Sequence, residues 1–153
     1  MMPHLIAVAL LLAQPASPPA DTSPIPRPEL GPADVVWIQL DALRENDRRG
    51  RDSGIAVVFR FASPANRQVT GPLDHFIQIV KGPAYLPMIG HRVAGAGRLV
   101  DGGDIAIQYM TLIAADGRVI EYEFRLSKDP KSGCWFNDGV VPVQAAKPTS
   151  PVI

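Results

Sequence analysis

The sequence predicts an α+β domain in which three helices precede a curved four-stranded antiparallel sheet. Two observations carry this prediction. Apolar residues recur at helical spacing up to Gly82-Pro83 and alternate with polar residues after it. The Asp116-Gly117 pair then lies between two alternating segments, which is typical of a hairpin turn. Helices followed by a run of strands favour helices packed on one face of an antiparallel sheet.

The composition fits one globular domain with no net charge. The chain has 153 residues, of which 46% are hydrophobic and 20% are charged. A domain of this size can bury a core without disulfides or a metal. Fifteen basic and fifteen acidic side chains leave no overall field, so neither nucleic acid nor an anionic membrane surface is an expected partner.

The first residues resemble a leader that directs export. An apolar run covers residues 5–13 and is followed by small residues, so residues 1–20 are expected to be a signal peptide with an uncertain cleavage site. An uncleaved anchor or a wrongly assigned start is the alternative. The mature protein is then expected in the periplasm or outside the cell, with no membrane attachment.

Proline-rich segments flank the expected folded unit. Residues 21–31 are interpreted as a linker, residues 32–140 as the folded domain and residues 141–153 as a disordered tail. The single cysteine, Cys134, has no internal partner for a disulfide and is expected to be a small buried hydrophobe.

Three apolar stripes predict the helices. The first helix is expected from Pro32 to about Arg49, because proline is tolerated in a first turn. A second helix follows Asp52 or Ser53, although its sequence also suits a strand. The third begins at Thr70-Gly71-Pro72, and the segment between the second and third is expected to be a corner. The stripe residues are Val36, Leu40 and Leu43, then Ile55, Val58, Phe59 and Ala62, then Leu73, Phe76, Ile77 and Val80.

Four strands are expected after Pro83. Their predicted bounds are Met88–Ala94, Ile105–Ala114, Val119–Ser127 and Cys134–Val140. The Asp101-Gly102-Gly103 segment should connect the first strand to the second.

The hairpin turn fixes which side chains share a face. If Asp116 and Gly117 are the only loop residues, Thr111 lies opposite Tyr122 and Tyr109 lies opposite Phe124. This face is almost wholly apolar and should meet the helices, which places Glu121, Glu123, Met110 and Leu112 on the outer face. An acid-base enzyme is therefore disfavoured, because the inner face supplies no carboxylate.

A pocket under the sheet is expected to bind a ligand through side chains from these strands and from the corner. The candidate ligand-binding residues are Tyr109, Thr111, Tyr122, Phe124, Trp135, Asn66 and Arg67. Arg67 alternatively braces helix-end carbonyls or a carboxylate such as Asp47.

The three histidines and the cysteine give weak chemical signals. His91 is the best titratable pocket candidate and the only weak catalytic candidate, but a core histidine bonded to a neighbour fits as well. His75 should face solvent. No metal site is expected, since the histidines and the cysteine match no ligand spacing. No motif indicates a cofactor.

A family resemblance rests on five segments. The sequences LREND at 43–47, FASPANRQVTGPLDHF at 61–76, YLPMIGHR at 85–92, DGRVIEYEFRLS at 116–127 and GCWFNDGV at 133–140 resemble an uncharacterised bacterial and plant domain-of-unknown-function family. The order of helices and strands is more distantly similar to the nuclear-transport-factor-two-like cone. This resemblance implies a curved sheet, a pocket and frequent dimers through the outer sheet face.

Three functions remain open. The first is an exported, non-catalytic module that binds an apolar small ligand or a protein partner. The second is an isomerase- or dehydratase-like enzyme that uses His91 and a pocket tyrosine. The third is a structural homodimer of the cell envelope. A homodimer would cover either Met110 and Leu112 on the sheet or Val35 and Ile38 on the first helix.

Overall fold

The computed structural model describes residues 22–143 and shows an α+β domain. Four helices, α1 (Pro32–Arg44), α2 (Ser53–Phe61), α3 (Pro64–Thr70) and α4 (Leu73–Val80), precede a 3-10 turn at Leu86–Met88. Four strands follow, β1 (Val93–Asp101), β2 (Ile105–Ile113), β3 (Val119–Lys128) and β4 (Trp135–Val143). They form one open antiparallel sheet in the order β1-β2-β3-β4. The predicted leader and most of the predicted tail lie outside the described residues.

The predicted class and the antiparallel sheet are confirmed, but the count of three helices is wrong. The segment expected to be a corner contains α3. Ser63 caps this helix, because its Oγ accepts a hydrogen bond from the Asn66 amide at 3.2 Å. Pro64 occupies the first turn, so the same residue that ends α2 also starts α3.

The first helix ends earlier than predicted, at Arg44 rather than near Arg49. The chain turns because the Asn46 side chain bonds the next segment. Asn46 Oδ1 accepts from the Ile55 amide, and Asn46 Nδ2 donates to Asp52 Oδ1, both at 3.0 Å. A buried asparagine that satisfies the start of α2 thus replaces the last predicted turn of α1.

The predicted first strand at Met88–Ala94 is also wrong in its bounds. Met88 closes the 3-10 turn, and β1 begins at Val93 and continues through Gly95 and Gly97. A bulge between Ala96 and Leu99 shifts its register against β2. The three other strands were predicted to within a few residues, and the predicted turn at Asp101 is present, with Gly103 donating to Asp101 Oδ1 at 2.9 Å.

The register of the central hairpin differs from the prediction by one residue. Ala114 pairs with Arg118 through a hydrogen bond of 2.9 Å, and the Gly117 amide donates to the Ala114 carbonyl at 2.9 Å. Gly117 has φ +88, so the loop has three residues with glycine in the left-handed position. As a result Met110 faces Tyr122 and Tyr109 faces Glu123.

This shift exchanges the two faces of β2. Met110 and Leu112 are completely buried, whereas Tyr109 is half-buried and Thr111 is exposed on the outer face. Burying a side chain the size of Met or Leu contributes about 1.5 to 3 kcal/mol, which favours this register over the predicted one. The predicted orientation of β3 is confirmed, because Glu121 and Glu123 lie on the outer face while Tyr122 is buried.

The core lies between the inner sheet face and α1, α2 and α4. All three residues of the predicted α1 stripe are buried. Val35, which the sequence suggests for a dimer surface, is buried as well, so that prediction is wrong for this residue. Leu30, from the segment before α1, also packs on this core. The core contains the following buried side chains: Val35, Val36, Leu40, Leu43, Ile55, Val57, Val58, Phe61, Phe76, Val80, Met88, Ala106, Met110, Leu112, Tyr122, Phe124, Leu126 and Trp135.

Candidate functional site

A cavity of about 420 Å³ lies between β4 and the four helices. Its wall is mostly apolar, and the apolar lining residues are Leu43, Val58, Ala62, Ala65, Val69, Phe76, Ile79, Val80, Met88, Phe124 and Val140. Its polar lining residues are Gln39, Asn66, Thr70, Tyr85, Asn137 and Asp138. The size and the apolar character are those of a small-molecule site.

The mouth of the cavity lies at α3. Ala65, Val69 and Asp138 line the cavity and are exposed. Val69 is 80% exposed, and no residue of α3 is buried. A large apolar side chain held in water beside an apolar opening indicates a rim that a ligand would cover.

Residues 63–70 attach this rim to the rest of the domain. Asn66 Nδ2 donates to the Asn137 carbonyl on β4 at 3.1 Å, and Asn66 Oδ1 accepts from the Thr70 hydroxyl at 3.1 Å. The Ser63 amide donates to the same Asn137 carbonyl at 2.9 Å. These bonds fix α3 against the free edge of β4. The segment Ser-Pro-Ala-Asn-Arg at 63–67 therefore builds one side of the cavity.

Arg67 braces the end of α2 and does not line the cavity. Its Nε donates to the Ala62 carbonyl at 3.0 Å and its Nη2 to the Arg60 carbonyl at 2.6 Å. The guanidinium lies 5.4 Å from the centre of the Phe59 ring. Of the two structural roles predicted for Arg67, the structure shows the contact with helix-end carbonyls.

The floor of the cavity is a pair of buried carboxamides, Gln39 on α1 and Asn137 on β4. They are 1% and 3% exposed, and Asn137 Nδ2 donates to Gln39 Oε1 at 2.9 Å. Gln39 Nε2 donates to the Val35 carbonyl at 3.1 Å, and Asn137 Oδ1 accepts from the Gly139 amide at 2.9 Å. The pair ties the helical layer to the sheet.

The remaining polar wall groups are bonded within the protein. The Tyr85 hydroxyl donates to the Val140 carbonyl at 3.0 Å, and the Ser127 hydroxyl bonds Asp138 at 3.0 Å. Within residues 22–143, no buried side-chain nitrogen or oxygen atom lacks a hydrogen-bond partner. Each buried polar side-chain atom of the described wall therefore has at least one partner within the protein.

Two of the seven predicted ligand-binding residues, Asn66 and Phe124, line this cavity. Tyr109 and Thr111 lie on the outer face because of the register shift. Tyr122 and Trp135 are buried in the core and are not among the lining residues. The Tyr122 hydroxyl donates to the Ala84 carbonyl at 2.9 Å, and its burial raises the pKa of Tyr122 to about 12.

His91 is not among the residues that line the cavity. It is 3% exposed, and its Nδ1 is 2.8 Å from the Met88 carbonyl. The structure therefore shows the second of the two roles predicted for His91, a core histidine that is hydrogen-bonded to a neighbour. His75 is exposed, as predicted, with Nδ1 3.2 Å from the Thr70 carbonyl. Cys134 is buried, as predicted.

One of the two outer glutamates, Glu123, is paired with a neighbouring cation. The Arg125 guanidinium, 2.6 Å from the Glu123 carboxylate, holds the pKa of Glu123 below its usual range. Arg98 lies over the Tyr109 ring at 5.1 Å.

In the part of the chain that the structure describes, no cluster of three or more His, Cys, Asp or Glu residues could hold a metal ion.

The residues that sequence reasoning missed are Gln39 and Asn137, although both carry a signal. Gln39 lies three residues after Val36 and four before Leu43, so it is a polar residue on the apolar stripe of α1. Asn137 follows Trp135 by two residues and therefore shares its inward face on β4. A polar side chain on a buried face needs a partner, and here the two residues partner each other.

The fold and the cavity define a class, an α+β domain with an apolar pocket between an open antiparallel sheet and its helices. The chain belongs to the family described as Domain of unknown function (DUF4864), whose model matches residues 31–150. No curated protein matches the chain. No solved structure matches it either. No helix among residues 22–143 is long and apolar enough to cross a membrane.

Proposed function

We propose that the protein is a non-catalytic binding module that holds a small apolar ligand in the cavity under α3. The observation that carries this proposal is the cavity itself, about 420 Å³ with an apolar wall and a mouth at an exposed helix. A cavity of this volume holds on the order of 15 non-hydrogen atoms if each takes the ~30 Å³ that a water molecule occupies in the liquid. A ligand of this size would bury most of its surface there.

The arrangement of acidic and basic groups favours binding over acid-base catalysis. Among the described residues that line the cavity, Asp138 supplies the only carboxylate, and it is exposed and bonded to Ser127. An acid-base residue normally needs a desolvated or charge-coupled position to bring its pKa near neutrality. His91, the sequence candidate for the enzyme alternative, is not part of the cavity wall.

Titration with N-phenyl-1-naphthylamine, an uncharged dye that fluoresces in apolar surroundings, tests this proposal. We expect saturable binding of one dye molecule per chain, together with a higher melting temperature, since a ligand that binds only the folded state stabilises it. Fluorescence that rises without saturation would contradict a defined site. The same dye affinity in a variant whose cavity is filled by a larger side chain would also contradict it. Mass spectrometry of small molecules that co-purify with the native protein would then identify the natural ligand.

The nuclear-transport-factor-two-like cone is part of the proposal. In support of it, the helices cover one face of an open, curved antiparallel sheet, and the cavity lies between the two layers. A cone of this type is compatible with binding and with catalysis, so the fold by itself selects neither.

Export is a further part of the proposal, and it rests on residues 1–20, which lie outside the described residues. A protein expressed with its own leader should lose it on secretion. Amino-terminal sequencing of the mature protein should then begin after Ala13, Ala16 or Ala20. A mature chain that begins at Met1 and stays in the cytoplasm would contradict export.

A homodimer is the second candidate, and β1 is the observation that favours it. This edge strand has nine residues, and all except Ala94 are exposed. Uncovered edge strands are templates for another chain. Of the two surfaces proposed from the sequence, Met110 and Leu112 on the sheet and Val35 on the first helix are buried and cannot form the interface.

A second copy fits this edge in charge and in side-chain direction. The bulge resets the alternation, so Val93 and Val100 share the outer face. Two antiparallel copies of β1 centred on the bulge would place Val93 of one copy beside Val100 of the other. Arg92 would lie opposite Asp101, which adds two opposite-charge pairs to the interface.

Sedimentation analysis of the Val100→Lys variant tests this dimer. We expect a dimeric wild type and a monomeric variant, because Val100→Lys places an unpaired charge against Val93 of the other copy. Ile25→Lys is the matched control, since Ile25 is also exposed, at 56%, but lies outside the sheet. A wild type that stays monomeric at high concentration would exclude the dimer.

A further inference from the structure

The carboxamide pair on the cavity floor has more hydrogen-bond donors than the protein uses. A carboxamide nitrogen carries two hydrogens. Within the described residues, Gln39 Nε2 has one acceptor, the Val35 carbonyl, and Asn137 Nδ2 has one acceptor, Gln39 Oε1. Each nitrogen therefore keeps a second N–H, while both amide oxygens already accept a hydrogen bond.

The charges around the cavity disfavour an anionic ligand. No arginine, lysine or histidine belongs to its described wall, and the carboxylate of Asp138 lies at its mouth. A carboxylate or phosphate would lose its water without gaining a counter-ion, which costs several kcal/mol. An uncharged ligand avoids this cost.

We infer that the cavity selects uncharged apolar molecules with one strong hydrogen-bond acceptor, such as a ketone, ester or amide oxygen, and that the floor amides of Gln39 and Asn137 recognise this oxygen. This inference rests on the proposed binding function. It adds a chemical class of ligand and an orientation, with the acceptor end on the floor and the apolar body toward α3.

Three compounds test the selectivity through displacement of bound N-phenyl-1-naphthylamine. Hexanophenone and heptylbenzene have the same number of non-hydrogen atoms, and only hexanophenone carries a hydrogen-bond acceptor. The third compound, 6-phenylhexanoate, carries a negative charge. We expect the two uncharged compounds to displace the dye and 6-phenylhexanoate to bind at least tenfold more weakly than hexanophenone at neutral pH. Equal or tighter binding of the carboxylate would overturn the inference.

The contribution of the floor amides is measured with the double variant Gln39→Met/Asn137→Leu. Replacing both partners of a buried hydrogen bond by apolar groups of similar size usually preserves folding. The ratio of the two dissociation constants, hexanophenone over heptylbenzene, is compared between the wild type and the variant, because this comparison cancels the different water solubilities of the compounds. We expect this ratio to rise about threefold to tenfold in the variant, the effect of one neutral hydrogen bond. An unchanged ratio would overturn the inference.

A measurement on the wild type keeps the test valid if the double variant does not fold. The infrared carbonyl stretch of bound hexanophenone should move to lower wavenumber than in hexane, as it does on accepting a hydrogen bond. A stretch at the hexane position would contradict the inference even while the dye binds. Failure of the dye and of every compound to bind would instead contradict the proposed function itself.

Discussion

At the scale of single residues, the polar side chains of the interior explain more than the charged surface does. Gln39 joins α1 to β4 through Asn137, and Asn46 joins α1 to the start of α2. Gln39 lies on a face of α1 whose other members are apolar, and Asn46 is buried in the turn that follows α1. Such positions are costly unless a partner is present, so a polar residue within an apolar stripe predicts a specific contact although the sequence does not identify the partner.

The ion pair between Asp52 and Lys81 predicts a pH-dependent stability. Lys81 Nζ lies 2.7 Å from Asp52 Oδ1, and this contact is the main reason that the pKa of Asp52 is below its ordinary value of 3.8. A lowered carboxyl pKa gives stability that is present above the unfolded pKa and is lost as the pH falls through the folded pKa. The pair connects the start of α2 to the end of α4.

We therefore expect Lys81→Met to lower the free energy of unfolding at pH 7 by about 1 kcal/mol, since the Lys81 side chain is 39% exposed and solvent screens the pair. The difference from the wild type should shrink as the pH falls below 3.8. Urea denaturation at several pH values measures it. Lys131→Met, which changes an exposed lysine in the β3–β4 loop, is the control and should show no comparable effect.

A second prediction concerns Arg67. Arg67→Ala should lower the free energy of unfolding by about 1 to 2 kcal/mol, because it removes two hydrogen bonds to the carbonyls at the end of α2. Gln68→Ala is the control on the same helix, since Gln68 is exposed and lies outside the cavity wall. Equal stability of the two variants would show that Arg67 does not brace α2.

At the scale of elements, short-range signals predicted which segments form and missed how they pair. The stripes of α1, α2 and α4 were read correctly, because each repeats an apolar residue over two turns or more. The hairpin was found from Asp116-Gly117, but a glycine in the left-handed position fits both a two-residue and a three-residue loop. Burial of Met110 and Leu112 decides between them, and this needs the helices in place.

Helix α3 was not predicted, for a different reason. Its seven residues bury nothing, so no apolar periodicity reveals it. Only Ser63-Pro64, a cap followed by a first-turn proline, marks its start, and the same dipeptide also ends a helix. Since α3 forms the mouth of the cavity, this error also hid the site.

The crossing of α1 and α2 gives a prediction at this scale. A methyl group on Gly54 would overlap the backbone carbonyl of Ala42. Gly54→Ala should therefore separate the helices and lower the free energy of unfolding by about 1 to 3 kcal/mol. Gly139→Ala is the matched control, because no atom lies within 4 Å of the added methyl there. Wild-type stability of Gly54→Ala in urea denaturation would contradict the close crossing.

At the scale of the whole molecule, the helices and the inner sheet face enclose both a filled core and the cavity beside β4 and α3. Tyr122, Leu112 and Met110 fill the centre completely, whereas small or absent side chains at Ala62, Ala65 and Gly139 leave the space that becomes the cavity. The sequence predicted a pocket from the order of elements. Its place depended on α3 and on two amides, and no local pattern assigns these to each other.

The most direct test of the central claim is to fill the cavity from its mouth. Ala65→Trp adds a large ring to an exposed residue that lines the cavity, and Gln68→Trp adds the same ring to an exposed residue of α3 outside the wall. Titration with N-phenyl-1-naphthylamine should show binding weakened at least tenfold by Ala65→Trp and unchanged by Gln68→Trp. Equal dye affinity of the wild type and Ala65→Trp would contradict the claim that this cavity is the ligand-binding site.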